Sequence, residues 1–171
     1  MGVTQTPIQV EKVLEAIFAY LPDRSYEDGG DKFPVIFGYG DDIALNVFLK
    51  NREITESYPL IWLLMPYEEK HFITKVTLEK VVFIIAVDTN EVMENKQRLD
   101  ETFGKVLMPL FDDFKYVFKA ANVINTSSEY EVIKYPNYGE NDKTLTTAIW
   151  DALKVTVSFS VIDTCLKPIK F

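Results

Sequence analysis

The chain has 171 residues, of which 26 are acidic and 18 are basic, so its formal net charge at pH 7 is −8. A chain of this length is typical of one domain that buries enough apolar surface to fold without a disulfide or a structural metal. The single cysteine, Cys165, excludes an internal disulfide framework and a cysteine-based zinc site. The acidic balance disfavours a nucleic-acid-binding module, because phosphate contacts need clustered lysine and arginine.

The apolar pattern does not indicate a membrane protein, because no apolar run approaches the roughly 20 residues of a membrane-spanning helix. Aromatic residues make up 13% of the chain. This much ring surface has two uses, a thick aromatic core or contacts with other proteins, since aromatic side chains are enriched at protein interfaces. The composition leaves both uses open.

The N-terminal part of the chain predicts an amphipathic helix. Thr6 and Pro7 form a helix start, because threonine caps a helix and proline suits its first position. The apolar residues that follow recur at helical spacing and stop before Pro22. They are Val10, Val13, Leu14, Ile17, Phe18 and Leu21. Residues 23–32 are polar, contain a double glycine and predict a loop.

A strand and a short helix are predicted next. Residues 33–39 predict a strand that has its proline near the start, where a missing amide donor does least harm. A turn at residues 40–42 can cap a short helix over residues 43–50, with Ile43 and Val47 on one face of that helix.

The longest mostly apolar segment of the sequence predicts a β-hairpin over residues 59–87. Residues 59–65 predict a buried strand that ends at Pro66, and residues 71–87 predict a second strand antiparallel to the first. A strand of 17 residues would span more than about 50 Å at roughly 3.3 Å per residue. We therefore expect either a bulge in this strand or a two-stranded ribbon that projects from the domain.

The rest of the chain predicts a long helix and a strand pair. Apolar residues recur at helical spacing over residues 91–121, and Pro109 predicts a kink or two helices that meet near Leu107. Residues 129–135 predict a short strand. The alternation over residues 149–163 predicts a strand with one buried face.

These elements predict an α+β fold with a mostly antiparallel sheet and a long β-hairpin, packed by an N-terminal helix and a long kinked central helix. We expect one domain over residues 1–171 with a projecting hairpin over residues 59–87.

Two short strings invite a catalytic interpretation. Residues 29–33, GGDKF, look like the signature of diguanylate cyclases, but Lys32 stands where that signature has an acidic residue. Residues 40–42, GDD, look like the metal-binding tripeptide of viral RNA polymerases, but the start of a helix explains both aspartates through capping. His71 is the only histidine, which excludes a histidine-rich metal site. The sequence therefore predicts no enzyme, no cofactor and no catalytic or metal-binding residue.

The order of elements resembles that of the tail-completion and tail-terminator proteins of tailed bacteriophages, small α+β subunits at the head-to-tail junction. Residues 58–63, YPLIWL, look like the strand that enters their hairpin. Residues 96–110 resemble the helix of related phage structural proteins, and residues 150–153, WDAL, resemble the entry to their last strand. The resemblance implies a virion component, made in the host cytoplasm, that forms a homomeric ring of six or twelve subunits.

What the resemblance implies about partners follows from that ring. The partners would be further copies of the chain together with connector, portal-adaptor or tail proteins, and DNA would pass through the lumen without specific binding. The hairpin would supply contacts to a neighbour. The candidate interface residues are Tyr58, Trp62, Tyr67, Glu68, Glu69, His71, Phe72 and Thr74.

A second hypothesis belongs to another class. The chain could be a cytosolic α+β enzyme or a small-ligand-binding domain with a pocket lined by carboxylates. Such a pocket would lie near Asp41, Asp42 and the Asp88 end of the long strand.

Overall fold

The computed structural model describes residues 7–25, 29–51, 59–88, 94–138 and 150–171. The helices are α1 (Val10–Phe18), α2 (Asp42–Asn51), α3 (Asn95–Gln97) and α4 (Met108–Ala120), with a π-helical segment (Arg98–Leu107) between the last two. The strands are β1 (Arg24–Ser25), β2 (Lys32–Phe33), β3 (Ile36–Gly40), β4 (Leu60–Leu64), β5 (Glu69–His71), β6 (Lys75–Asp88), β7 (Ile124–Tyr138) and β8 (Trp150–Ile162).

The main sheet has the strand order β3-β4-β6-β8-β7, and β5 pairs with the first part of β6. Among the strands of the described residues, only the β3 and β4 pair is parallel; the other pairs are antiparallel. Strands β1 and β2 form a separate two-stranded sheet. The predicted α+β fold with a mostly antiparallel sheet is confirmed.

One face of the sheet, here called the first face, is covered by helices over its central strands. The Phe83 side chain of β6 is fully buried, and its ring lies 5.1 Å from that of Phe114 and 6.1 Å from that of Phe18. The rings of Phe114 and Phe118 stack at 4.6 Å. Helices α1 and α4 therefore share an aromatic core with β6, and this use accounts for much of the ring surface of the chain.

The opposite face, here called the second face, is covered by α2. Trp62 of β4 points to this face, because the neighbouring residues of a strand alternate between faces and Leu63 is paired with Phe83. The Trp62 ring packs against Phe48 of α2 at 5.1 Å. The buried side of α2 consists of Leu45 and Leu49, together with the half-buried Phe48.

The central helix is built in pieces, as Pro109 predicts. The amide of Met108 donates to the carbonyl of Phe103, five residues earlier, which is the spacing of a π-helix. The following residue, Pro109, has no amide hydrogen to donate and sits in the first turn of α4, where that donor is not needed. The predicted junction near Leu107 is therefore confirmed.

The hairpin over residues 59–87 forms, but it is not a two-stranded arm. Strand β8 pairs with β6 along its whole length, from Lys75 opposite Ile162 to Asp88 opposite Trp150. The expected bulge is present between Leu78 and Val81, where Lys80 has a φ of 52°. The prediction missed the pairing because β8 follows more than 60 residues later in the chain.

Other boundaries also differ from the prediction. Helix α1 begins at Val10, and the cap predicted at Thr6 lies outside the described residues. The predicted loop 23–32 includes β1 and the start of β2, and the predicted strand 33–39 is divided between β2 and β3. Strand β7 begins at Ile124 rather than at residue 129. Among the helices of the described ranges, none has the length and apolar character required to cross a membrane.

Candidate interaction surface

The tip of the hairpin exposes apolar side chains. After β5 the chain turns through residues 72–74, and 86% of Ile73 and 58% of Phe72 are exposed. The turn is held by the Phe72 amide, which donates to the Lys75 carbonyl at 2.8 Å, and by the Asp163 amide, which donates to the Thr74 carbonyl at 2.9 Å. These two apolar side chains are thus presented on a hydrogen-bonded turn.

Charged side chains surround this tip. His71 Nε2 lies 2.7 Å from Glu69 Oε2, and the Lys70 ammonium lies 2.8 Å from the Glu79 carboxylate. The Lys75 ammonium lies 5.3 Å from the centre of the Phe72 ring. Behind the turn is an open cavity of about 170 Å³. Its lining is formed by Pro7, Ile8, His71, Phe72, Ile73, Val76 and Asp163.

The structure separates the predicted interface residues into four groups, of which the fourth is the buried Trp62. Glu68, Glu69, His71, Phe72 and Thr74 are exposed at or near the tip. Tyr67 is half-buried and its hydroxyl donates to Glu11 of α1, and burial raises the pKa of the Tyr67 hydroxyl. Tyr58 lies outside the described residues.

Trp62 is buried, and the prediction of an interface role for it is wrong. Its Nε1 donates to the Gly40 carbonyl at 3.1 Å, and a Cβ at Gly38 would come 2.6 Å from its ring. The backbone of β3 therefore approaches the indole closely, and Trp62 packs inside the domain.

The carboxylates of the alternative pocket do not converge. Gly40 is paired with Leu64, which is paired with Val82, six residues before Asp88. Six residues along a strand correspond to about 20 Å, so Asp41, which follows Gly40, lies toward the other end of the sheet. Asp42 is closer to the Asp88 end, because burial and then the Asp42 carboxylate raise the pKa of Tyr138, which is paired with Trp150. Asp41 caps α2 instead, because its Oδ1 accepts the Ala44 amide at 2.7 Å. Among the described residues, no group of three or more His, Cys, Asp or Glu side chains is arranged to hold a metal.

A buried ion pair that sequence reasoning missed lies at the Asp88 end of the sheet. Arg98 Nε approaches Asp151 Oδ2 to 3.2 Å under the π-helical segment, and both side chains are almost fully buried. Asp151 is paired with Val87, next to Asp88. Burial raises the pKa of Asp88 from 3.8 to about 6. A signal was present in the sequence, since Asp151 occupies the inward position that Leu153 and Val155 continue.

Two further apolar surfaces lie on helix α2 and on the edge strand β7. On α2, 68% of Ile43 is exposed, and Val47, which the sequence places on the same face of the helix, is also exposed. On the edge strand β7, 51% of Ile133 is exposed and Tyr135 is also exposed. Sequence reasoning missed these surfaces, because α2 has apolar residues on more than one side and the pattern does not show which side is buried.

The second face also has a hydroxyl-lined depression next to two bulges. Lys80 in β6 and Ser128 in β7 both have a positive φ, of 52° and 63°. The Lys80 amide donates to Ser158 Oγ at 3.0 Å, and Thr77 Oγ1 lies 2.9 Å from Ser160 Oγ. The depression has a volume of about 350 Å³ and is open to solvent.

No protein-family model matches the chain, and a search of curated proteins finds no significant similarity.

Proposed function

We propose that this chain is a structural subunit of a tailed-phage virion, which forms a homomeric ring at the head-to-tail junction and joins the connector to the tail. The observation that carries the proposal is the presence of exposed large apolar side chains at three separate places, the hairpin tip, α2 and β7. A subunit of an assembly has several neighbours, and exposed apolar patches mark such contacts. The resemblance to tail-completion and tail-terminator proteins supplies the kind of assembly.

In this proposal the hairpin tip binds a different protein rather than a further copy of the chain. Phe72 and Ile73 form a small apolar centre, and Glu69, Lys70 and His71 form a charged rim around it. Protein interfaces combine an apolar centre that loses its water with a polar rim. We assign the tip to the contact with a connector or tail protein.

The negative charge fits the passage of DNA. A net charge of −8 repels phosphate groups. Acidic side chains that face the lumen would let DNA pass without binding to the ring, because nonspecific binding of DNA depends on neutralising its phosphates.

The test combines imaging with a binding measurement. Negative-stain microscopy of the purified chain, alone and mixed with the connector and tail proteins encoded beside it, should show rings with a central opening in at least one mixture. The double variant Phe72→Ser with Ile73→Ser should lose the partner and keep the fold, and Leu99→Ser, at an exposed apolar residue outside all three places, serves as a surface control. A chain that stays monomeric and binds neither partner would contradict the proposal.

A small-ligand-binding domain is the second candidate. The hydroxyl-lined depression around Ser158 favours it, because two bulges with positive φ flank one strand there and bulges are frequent next to functional sites. Thermal unfolding in the presence of a library of small polar metabolites tests this candidate. A ligand that raises the unfolding temperature of the native chain but not that of Ser158→Val would favour it over the ring.

A further inference from the structure

The central helix buries an arginine where its apolar pattern would place a leucine. Arg98 is 3% exposed, whereas 53% of the next residue, Leu99, is exposed. Leu99 precedes the buried Phe103 by four residues and the buried Val106 by seven, and these are the spacings of one face of an α-helix. An α-helix through this segment would therefore bury Leu99 and turn Arg98 toward solvent.

The π-helical form of residues 98–107 accounts for this exchange. The buried residues of the segment stand four or five positions apart, whereas those of α4 stand three or four positions apart. They are Arg98, Thr102, Phe103, Val106 and Leu107. The wider turn follows from hydrogen bonds that span five residues instead of four. It rotates the start of the helix, so that Arg98 rather than Leu99 faces the sheet.

A buried ion pair stabilises the π-helical form. Arg98 Nε lies 3.2 Å from Asp151 Oδ2, and both side chains are almost fully buried. An α-helix that turns Arg98 outward would take the guanidinium away from Asp151, and separating the members of a buried pair is strongly unfavourable. Fixing the register of a helix is the best attested role of buried polar residues. The geometry assigns this role to the pair.

Gly104 removes an obstacle to the wide turn. A Cβ at Gly104 would come 3.2 Å from the carbonyl oxygen of Leu99, five residues earlier, and five residues is the spacing of the hydrogen bonds in a π-helix. A glycine inside a helix is less favourable than an alanine. The close approach of the Leu99 carbonyl explains why a glycine stands at this position.

We propose that the ion pair between Arg98 and Asp151 sets the register of the central helix, and that its loss converts residues 98–107 into an α-helix that buries Leu99. The two forms present different surfaces, because Leu99 is exposed in the π-helical form and the guanidinium in the α-helical form. A partner that contacts Leu99 would stabilise the first form, and an acidic partner that binds Arg98 would stabilise the second. The proposal does not depend on the ring at the head-to-tail junction.

Exchange of the two residues tests the register directly. In Arg98→Leu with Leu99→Arg, an α-helix would carry the guanidinium at position 99 to Asp151, so the leucine at position 98 should be exposed. A helix that stays in the π form would bury that leucine. Methyl NMR with a soluble gadolinium chelate measures the exposure, because the chelate relaxes the methyl groups that it can approach. The exposed Ile133 and the fully buried Leu110 are internal references.

A second variant removes the ion pair without exchanging the two positions. Arg98→Ala with Asp151→Ala leaves neither charge in place, and the space that the guanidinium vacates favours the burial of Leu99. The relaxation of the Leu99 methyl groups should then fall to the level of those of Leu110. In the native chain it should be close to the relaxation of other half-exposed methyl groups.

Two controls separate the ion pair from other causes. Lys115→Ala with Asp112→Ala removes an exposed pair of α4 and should leave Leu99 exposed. Pro109→Ala should leave it exposed too, because a proline disturbs the turn that precedes it and Arg98 lies eleven residues earlier. Burial of Leu99 in Pro109→Ala would overturn the proposal, because the proline would then set the register.

Each outcome for the two variants decides the proposal. An exposed leucine at position 98 of the exchanged variant supports it, and a protected leucine at that position overturns it. Leu99 that stays exposed in the double alanine variant overturns it as well. If the double alanine variant does not fold, the exchanged variant decides alone, because it keeps both charges and the leucine. An exchanged variant that does not fold, as measured by circular dichroism, also overturns the proposal.

Discussion

The two faces of the sheet differ in how they are covered, and the difference separates the fold from the assembly. On the first face, α1 and the central helix bury Phe83, Phe114 and Phe118 completely. On the second face, α2 covers Trp62 but leaves Ile133 and Tyr135 exposed. A face that helices of the same chain cover over its central strands stabilises the domain by itself. A face that stays partly open leaves apolar side chains in contact with water, and these are the side chains that the proposed assembly would bury.

The largest expected effect is on the first face. Phe83→Ala should lower the free energy of unfolding by about 3 to 5 kcal/mol, because it removes a fully buried ring and leaves a cavity among four other phenylalanines. Urea unfolding measures the change. The control on the second face, Ile133→Ala, should change the free energy of the monomer by less than about 0.5 kcal/mol. Equal losses in both variants would abolish the distinction between the faces.

The ion pair under the π-helical segment should come next. Arg98→Met leaves the buried Asp151 carboxylate without the partner that lies 3.2 Å away, and removing one member of a buried pair costs about 3 kcal/mol or more. The double variant Arg98→Met with Asp151→Val should lose less than the sum of the two single variants. Additive losses in urea unfolding would show that the two charges do not interact.

The contact between Gly38 and Trp62 tests the covered part of the second face. Gly38→Ala places a Cβ about 2.6 Å from the indole ring, and such overpacking costs about 1 to 3 kcal/mol. Trp62→Leu removes the ring, and the same alanine should then cost much less. An equal cost in both backgrounds would mean that the indole is not the obstacle.

The smallest effect concerns Asp88, at the end of the second face. Burial raises its pKa from 3.8 to about 6, so the folded chain holds its proton more tightly than the unfolded chain. The contribution of Asp88 to the free energy of unfolding is therefore complete below about pH 4 and is lost as the pH rises through 6. Because Asp88 is half-buried and partly screened by solvent, we expect a loss of at most about 1 kcal/mol.

The variant Asp88→Asn should remove this dependence. The free energies of unfolding of Asp88→Asn and of the native chain are measured from pH 4 to pH 8. The variant value minus the native value should rise between pH 4 and pH 6 and stay constant above pH 6. A constant difference across this range would show that Asp88 does not titrate with a raised pKa.

Local sequence patterns predicted most of the helices and strands. Pairing between strands that are distant in the sequence determined the features that these patterns did not predict. The alternation from Val155 to Val161 predicts β8, and Pro109 predicts the junction in the central helix; the structure confirms both. The projecting arm was wrong because the partner of β6 on its other side comes from β8. Strand β7 extends further than predicted because Asn125 and Thr126 pair with Ser160 and Phe159 before a bulge whose polar residues resemble a turn in sequence.

The candidate surfaces were predicted only in part. The charged residues of the hairpin tip, from Glu68 to His71, are exposed as expected, since a polar stretch after Pro66 indicates a turn. Trp62 was placed on the surface because a tryptophan in an apolar strand gives no sign of the helix that covers it. The exposure of Ile43 and Val47 on α2 was missed for the converse reason, because these two residues have the spacing of a buried face.

Both tryptophans of the chain, Trp62 and Trp150, lie buried on the second face. Intrinsic fluorescence therefore reports on that half of the molecule, from under α2 to the Asp88 end of the sheet, and the phenylalanine core contributes almost nothing to the emission. Tryptophan emission recorded during the proposed assembly would therefore report changes at the partly open face without any added dye.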